Sequence, residues 1–184
     1  MLTHRVLLSE ETIARRVNEL AEAVRRDIPG PDLIIIGLLT GSFVLVADLG
    51  RALARLGLAP QFDFLATSHY GAATTSSGTV TLLKDCSLDV RGRPVLLVDD
   101  ILDSGRTLRL VREHLVRREP SWLRTCVLLD KPSRRVVEFL ADYVGFEVPD
   151  YWVIGYGLDA GGHGRGLPYI AAVEPEIISV PKPD

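Results

Sequence analysis

Cysteine is nearly missing from this chain: Cys86 and Cys126 are the only two in 184 residues. Two are too few for a disulfide framework, and neither lies in a pair spaced as metal ligands. There is no surplus of positive charge either. A formal net charge of -3 supplies no basic footprint, so no nucleic-acid partner is expected. Long hydrophobic runs are also wanting. The most apolar stretch, Leu33 to Leu49, is interrupted by Gly, Thr, Ser and Asp and does not read as a membrane span, so no membrane partner is expected. The opening Met1-Leu2-Thr3-His4-Arg5 lacks the charged-then-apolar layout of a signal peptide, and the expected location is cytoplasmic. No internal repeat and no low-complexity tract is present.

What is there reads as one domain over residues 1–184, with 47% hydrophobic and 24% charged residues, the balance of an ordinary globular core. Ser9 followed by Glu10 and Glu11 marks a helix start, with acids at its positive end. Apolar residues at Ile13, Val17, Leu20 and Val24 keep a helical stripe until Pro29-Gly30-Pro31. Leu33–Ile36 predicts a buried strand, Gly37–Ser42 a turn, Phe43–Leu56 a helix and Phe62–Ala66 a second strand. The polar segment 67–79 is too long for a simple connection and predicts a functional or mobile loop. Beyond it follow a strand at Val80–Leu83, a helix at Leu108–Val116 and strands at Thr125–Leu129, Tyr143–Phe146 and Trp152–Ile154. Alternating strands and helices with apolar strands predict an α/β fold, with a mostly parallel central sheet flanked by helices. Ligands in such sheets sit at the C-terminal strand ends, where most of the polar motifs fall.

One segment concentrates the chemistry. The run Val95-Leu96-Leu97-Val98 ends in Asp99-Asp100-Ile101-Leu102-Asp103-Ser104-Gly105-Arg106-Thr107. It predicts a buried strand, an acidic strand end, a phosphate-sized loop and a helix N-terminus. Adjacent strand residues point to opposite faces, so Asp99 and Asp100 need not touch one ion. One can ligate Mg²⁺ or ribose hydroxyls while the other orients the site; alternatively the pair only caps a sheet edge. Gly105 can take a positive φ and let an anion approach the backbone. Ser104 and Thr107 add hydroxyl donors. The Gly-Lys-Ser/Thr ending of a nucleotide P-loop is lacking, which disfavours an ordinary ATPase. Standing alone, Asp103 could be a helix N-cap, while a lone Lys131 is usually solvated and core is the commoner fate of an aromatic such as Trp152.

The segment Val98–Thr107 resembles the phosphoribosyl-diphosphate-binding motif of type I phosphoribosyltransferases. The similarity extends to Leu128-Leu129-Asp130-Lys131-Pro132-Ser133-Arg134-Arg135, to Val144–Asp150, to Val153–Asp159 and to Leu167-Pro168-Tyr169-Ile170. Ser76-Ser77-Gly78 and Leu83-Lys84-Asp85 match as well. These point to the hypoxanthine-guanine, purine-salvage branch. The resemblance implies the type I phosphoribosyltransferase fold, with a small hood and a mobile loop. It also implies Mg²⁺-dependent displacement of diphosphate from phosphoribosyl diphosphate by a 6-oxopurine base, giving IMP or GMP, in a homodimer or homotetramer. Asp99 and Asp100 would hold ribose hydroxyls and metal, with Asp159 at a second Mg²⁺. Asp103 to Thr107, including Arg106, would meet the phosphoribosyl group, and Asp103 would manage the N7 proton of the purine. Leu39, Thr40, Gly41, Tyr70 and Arg165 would bind diphosphate. Lys131 would donate to the exocyclic oxygen, Trp152 would stack on the base, and Ile101, Val153 and Asp159 would complete the purine site.

The chain departs from that family in four places. Thr40 stands where Lys or Arg is frequent, which implies weaker diphosphate affinity or a changed subunit contact. His69 precedes Tyr70 where Ser is usual, and it reads either as a pH-dependent donor or as a solvated loop residue. Asp99 replaces a usual Glu. Ala160-Gly161-Gly162-His163-Gly164-Arg165-Gly166 replaces bulkier residues and is expected to be flexible, leaving the placement of Arg165 loose. Two other readings stay open: a nucleotide-sensing, RNA-binding regulator on the same fold, and a transferase for xanthine or another base.

Overall fold

The computed structural model describes residues 4–69 and 80–173. Ser9 does cap the first helix, its Oγ accepting from the Thr12 amide at 3.2 Å. Helix α1 (Glu10–Asp27) follows β1 (His4–Leu8) and buries Ile13, Val17, Leu20 and Val24, the stripe read from the sequence. Strand β2 (Ile34–Leu39) leads to α2 (Phe43–Arg55), and β3 (Gln61–His69) to β4 (Val80–Lys84). Then come β5 (Pro94–Leu102), α3 (Arg106–Val116), β6 (Trp122–Asp130), a 3₁₀ turn at Pro132–Arg134, β7 (Tyr143–Glu147), β8 (Val153–Ile154) and β9 (Ile170–Val173).

The main sheet has the order β4-β3-β2-β5-β6-β7. All its pairings are parallel except β3 with β4, an antiparallel hairpin. Its strands are apolar on both sides because helices cover both faces. On β5, Leu96 and Val98 join the layer holding α1 and α2, whereas Val95 and Leu97 join the layer holding α3. A separate antiparallel sheet of order β1-β9-β8 forms the small hood. Strands β1 and β9 were not foreseen in the sequence, being short and lacking a clean alternation.

Several boundaries differ from those expected. Strand β2 continues through Gly37, Leu38 and Leu39, because each pairs in register with β3. A side chain at position 37 would come within 2.7 Å of Val46 and 2.9 Å of Phe64; this glycine is set by helix packing and not by a turn. Thr67, Ser68 and His69 likewise extend β3, so the polar segment begins as strand. The expected mobile loop, with Tyr70 in it, lies outside the described residues, as does the side chain of His69. Finally, β5 does not end at its acids. Asp99 pairs with Val127 and Ile101 with Leu129, which places both carboxylates inside the strand.

Candidate active site

Alternation along β5 separates the two acids. Asp99 follows Val95 and Leu97 toward α3, and Asp100 follows Leu96 and Val98 toward α2. There Gly41 makes room for it: a Cβ at position 41 would lie 1.7 Å from Asp100 Oδ2. Gly157 serves the loop in the same way, since a Cβ there, at φ +101, would lie 1.9 Å from the Gly41 carbonyl oxygen. The Leu39–Thr40 peptide is cis. Asp99 is buried at 7% exposure, and its Oδ1 accepts from the Asp100 amide at 2.9 Å. Burial holds the Asp99 carboxyl well above the ordinary aspartate value, and the neighbouring Asp100 charge adds to this. Asp100 is raised as well, chiefly by burial, with the Arg165 guanidinium among the groups drawing it back. A buried and a half-buried carboxyl that resist ionisation alone are suited to a cation, whose charge reverses that preference.

After β5 the chain turns through Asp103 and Ser104. Gly105 adopts φ +82 and caps α3, as its place in the motif anticipates. Asp103 is therefore not the helix cap. The Arg106 amide donates to Ser104 Oγ at 3.4 Å. The loop is braced from the segment after β6. The Val136 and Val137 amides donate to the Ser104 carbonyl at 3.0 and 3.2 Å. Arg135 donates to the Leu102 and Asp103 carbonyls and to Asp130. Arg135 stood in the motif Asp130-Lys131-Pro132-Ser133-Arg134-Arg135, but nothing in the linear sequence says that it ties two strand ends together.

These elements enclose a cleft of about 350 Å³ lined by Leu39, Thr40, Gly41, Asp99, Asp100, Asp103, Ser104, Gly105, Thr107 and Arg165, among others. Arg106 is not among its lining residues; it begins α3 and belongs to the loop through its backbone. A second cleft of about 470 Å³ is lined by Lys131, Trp152, Val153, Arg134, Asp150 and Tyr151. Ile101, Asp103 and Asp159 line both clefts. Asp103 thus stands at the junction.

Lys131 is not solvated: it is 7% exposed, donates to the Tyr151 carbonyl at 2.6 Å and faces Asp150 at 3.6 Å. Trp152 is not core: at 67% exposure its ring is available as a platform on the cleft wall. Val153 is buried behind it. The Gly-rich segment closes on itself in a turn. Ala160 and His163 form a bridge, with Gly161 and Gly162 both at positive φ, the requirement of a tight type I′ turn. Arg165 emerges from it fixed at both ends, donating to the Gly157 carbonyl at 2.6 Å and pairing with Asp159 at 2.6 Å. Asp159 also accepts from the Gly162 amide at 2.6 Å. Asp99, Asp100 and Asp159 do not assemble into one ligand cluster; among the described residues no group of three or more His, Cys, Asp or Glu does. The oxygen-only donors of Asp99 and Asp100 nevertheless fit a hard divalent ion that takes its remaining ligands from substrate and water.

Known proteins resemble this chain over most of its length. The family described as "Phosphoribosyl transferase domain" matches residues 6–160. The chain is 46% identical to a hypoxanthine-guanine phosphoribosyltransferase of Aquifex aeolicus over 92% of its length and 94% of that protein's. It is 43% identical to the hypoxanthine phosphoribosyltransferase of Escherichia coli, over 93% and 96%. Its fold superposes on a crystal structure of a hypoxanthine-guanine phosphoribosyltransferase from Bacillus anthracis with a TM-score of 0.87, at 41% identity over 95% of this chain and 100% of that one. It also superposes on the Trypanosoma cruzi hypoxanthine phosphoribosyltransferase in complex with the product IMP, with a TM-score of 0.88, at 38% identity and 96% coverage of each chain. A family model over residues 6–160 and enzymes at 43–46% identity over nearly the whole chain place the protein in the phosphoribosyltransferase family, in its hypoxanthine-guanine branch.

Proposed function

We propose that this enzyme transfers 5-phosphoribosyl from phosphoribosyl diphosphate to hypoxanthine or guanine, giving IMP or GMP and diphosphate, with Mg²⁺ as cofactor. The observation that carries the reading is the pair of adjoining clefts with Asp103 at their junction. One cleft suits a phosphosugar and the other a planar base, and the new bond would form between them.

The amides and hydroxyls of Ser104–Thr107 bind the 5′-phosphate at the N-terminus of α3. Asp99 and Asp100 take the ribose hydroxyls and hold the cation. Leu39, Thr40, Gly41 and Arg165 bind diphosphate, Arg165 with its planar fork. Thr40 is exposed on the cleft wall and brings no charge, so backbone amides carry its share of that contact. Mg²⁺ supplies charge neutralisation on the departing diphosphate. Tyr70 is proposed to cover that group.

In the base cleft, Lys131 donates to O6 of the purine. Its pairing with the Tyr151 carbonyl leaves donors to spare, since an ammonium has three. Trp152 supplies the stacking face, and Ile101, Val153 and Asp159 flank the base. As N9 bonds to C1′ and the C1′–O bond to diphosphate breaks, the N7 proton passes to the Asp103 carboxylate. Positive charge developing on the ribose meets preset acids, and no rearrangement is needed to meet it.

Arg165 and Asp159 neutralise one another in this arrangement. Binding diphosphate and a second Mg²⁺ would divide that pair, the guanidinium going to phosphate oxygen and the carboxylate to the ion through water.

We read residues 1–184 as one domain acting in the cytoplasm, as a homodimer or homotetramer. Buried, free Cys86 and Cys126 are in keeping with a reducing compartment. No helix among the described residues is long and apolar enough to cross a membrane. The purified protein, given Mg²⁺ and phosphoribosyl diphosphate, is expected to convert hypoxanthine and guanine to their monophosphates. If no 6-oxopurine turns over, the reading is wrong; conversion of xanthine alone would redirect it to another base.

A further inference from the structure

We infer that Arg134 is a positioning residue for the reaction. It holds the Asp103 carboxylate in register with Lys131 along one edge of the purine. The inference rests on the function proposed above.

The geometry is a strap of alternating charge across the base cleft. Lys131 Nζ faces Asp150 Oδ1 at 3.6 Å. The other oxygen of Asp150, Oδ2, faces Arg134 Nη1 at 3.6 Å. Arg134 Nε in turn donates to Asp103 Oδ1 at 3.2 Å. Each acid therefore lies beside Arg134, and Asp150 lies between the two cations. O6 and N7 of a 6-oxopurine lie side by side on one edge of the base. Lys131 would meet the first and Asp103 the second, so a strap joining these two side chains fixes the distance between an oxygen reader and a proton acceptor.

Two consecutive arginines divide the task. Arg135 holds the Asp103 backbone through its carbonyl, and Arg134 holds the side chain through one carboxylate oxygen. Arg134 donates to Asp103 Oδ1, and the other carboxylate oxygen is the one to accept the N7 proton. The 3₁₀ turn that carries Arg134 begins at Lys131, whose carbonyl accepts the Arg134 amide at 3.0 Å. Lysine and arginine are thus mounted on one rigid turn.

Stability is not the purpose of these contacts. The side chains of Arg134, Asp103 and Asp150 are 53%, 43% and 51% exposed, and exposed pairs contribute little to folding. A planar base lying over the strap would exclude water and strengthen the same contacts during the reaction. Orientation is where they count, because a small misplacement of a reacting group lowers the rate steeply.

Steady-state kinetics on Arg134→Gln, Arg134→Lys, Asp103→Asn and the Asp103→Asn/Arg134→Gln double variant test this. With hypoxanthine and saturating Mg²⁺, Arg134→Gln should lower kcat about tenfold while KM for phosphoribosyl diphosphate stays within about twofold. Arg134→Lys, which keeps the charge but loses the fork, should recover part of the loss. Once Asp103 is Asn there is no carboxylate to position, so adding Arg134→Gln should slow that variant no further. The inference is overturned by a kcat for Arg134→Gln within about twofold of the parent, by a loss of similar size in the Asp103→Asn background, or by a parallel rise in KM for phosphoribosyl diphosphate. Failure of the functional reading would appear separately, as absence of turnover in the parent protein.

Discussion

The two clefts are built on opposite principles. The cleft proposed for the phosphosugar is made largely of backbone and strand-borne acids: a glycine at φ +82 and carboxylates fixed inside β5. Its shape depends on atoms that cannot move without moving a strand. The cleft proposed for the base is made of side chains, buried Lys131 beside solvent-facing Trp152 at 67% exposure and an open chain of ion pairs. A phosphate needs many fixed donors at one point, which amides at a helix end supply. A purine needs one stacking face and a few directed polar contacts, which side chains supply more selectively. Substitutions in the first cleft should therefore disturb binding through the backbone. Those in the second should act on rate and choice of base.

Asp103 joins the clefts, and its replacement should break the comparison most sharply. Asp103→Asn is expected to lower kcat by roughly 10²–10⁴-fold, the range of general acid–base catalysis. Affinity for phosphoribosyl diphosphate, measured by isothermal titration, should hold; a proportional loss of both would assign Asp103 to binding alone. Next in size is Lys131→Met, which removes the O6 donor. We expect kcat/KM for hypoxanthine to fall by about 10²-fold or more, with phosphoribosyl diphosphate binding preserved.

Gly41→Ala tests the rigid cleft from its own side. A Cβ 1.7 Å from Asp100 Oδ2 must displace the carboxylate or the loop, so affinity for phosphoribosyl diphosphate should drop by roughly tenfold or more. Fluorescence quenching of Trp152 by hypoxanthine alone should be retained. Trp152→Ala sits lower still. Loss of stacking, worth about 1–3 kcal/mol in base recognition, should raise KM for the purine with little change in kcat.

The smallest effect is thermodynamic. Asp99 is held well above the 3.8 of an ordinary aspartate by burial, so the folded state retains a proton that the unfolded chain has released. Stability is then greatest near or below that value and falls as pH rises above it. Asp99→Asn should therefore raise the melting temperature in metal-free buffer near neutral pH and gain little near pH 4. Each kcal/mol relieved is worth about 2–4 °C in a protein of this size. Added Mg²⁺ should raise the melting temperature of the parent more at neutral pH than in acid. A gain from Asp99→Asn independent of pH would show that burial of the charge is not its source.

The phosphosugar cleft was the more legible in the sequence because it is contiguous: Asp99 to Thr107 contain its acids, its positive-φ glycine and its helix start. The base cleft was legible only through resemblance. Lys131, Trp152 and Asp159 are scattered over three segments, and each has a common structural reading when taken alone. Arg134 and Arg135 lie in a motif that does not disclose their roles, because their partners Asp103, Leu102 and Asp150 lie elsewhere in the chain. The turn before Arg165 was not legible from composition, although Gly161 and Gly162 occupy its two positive-φ positions.

By itself, then, the sequence determined the layered α/β architecture and the glycine turn that starts α3, since apolar periodicity and local turn chemistry act over a few neighbouring residues. Tertiary structure decided that β5 runs on through its acids and buries Asp99, and that Asp100 depends on a glycine nearly sixty residues away. It also decided that Asp103 is a junction and not a cap. Those outcomes follow from packing between elements remote in the chain, where the available space and the nearest opposite charge are set by the assembled sheet.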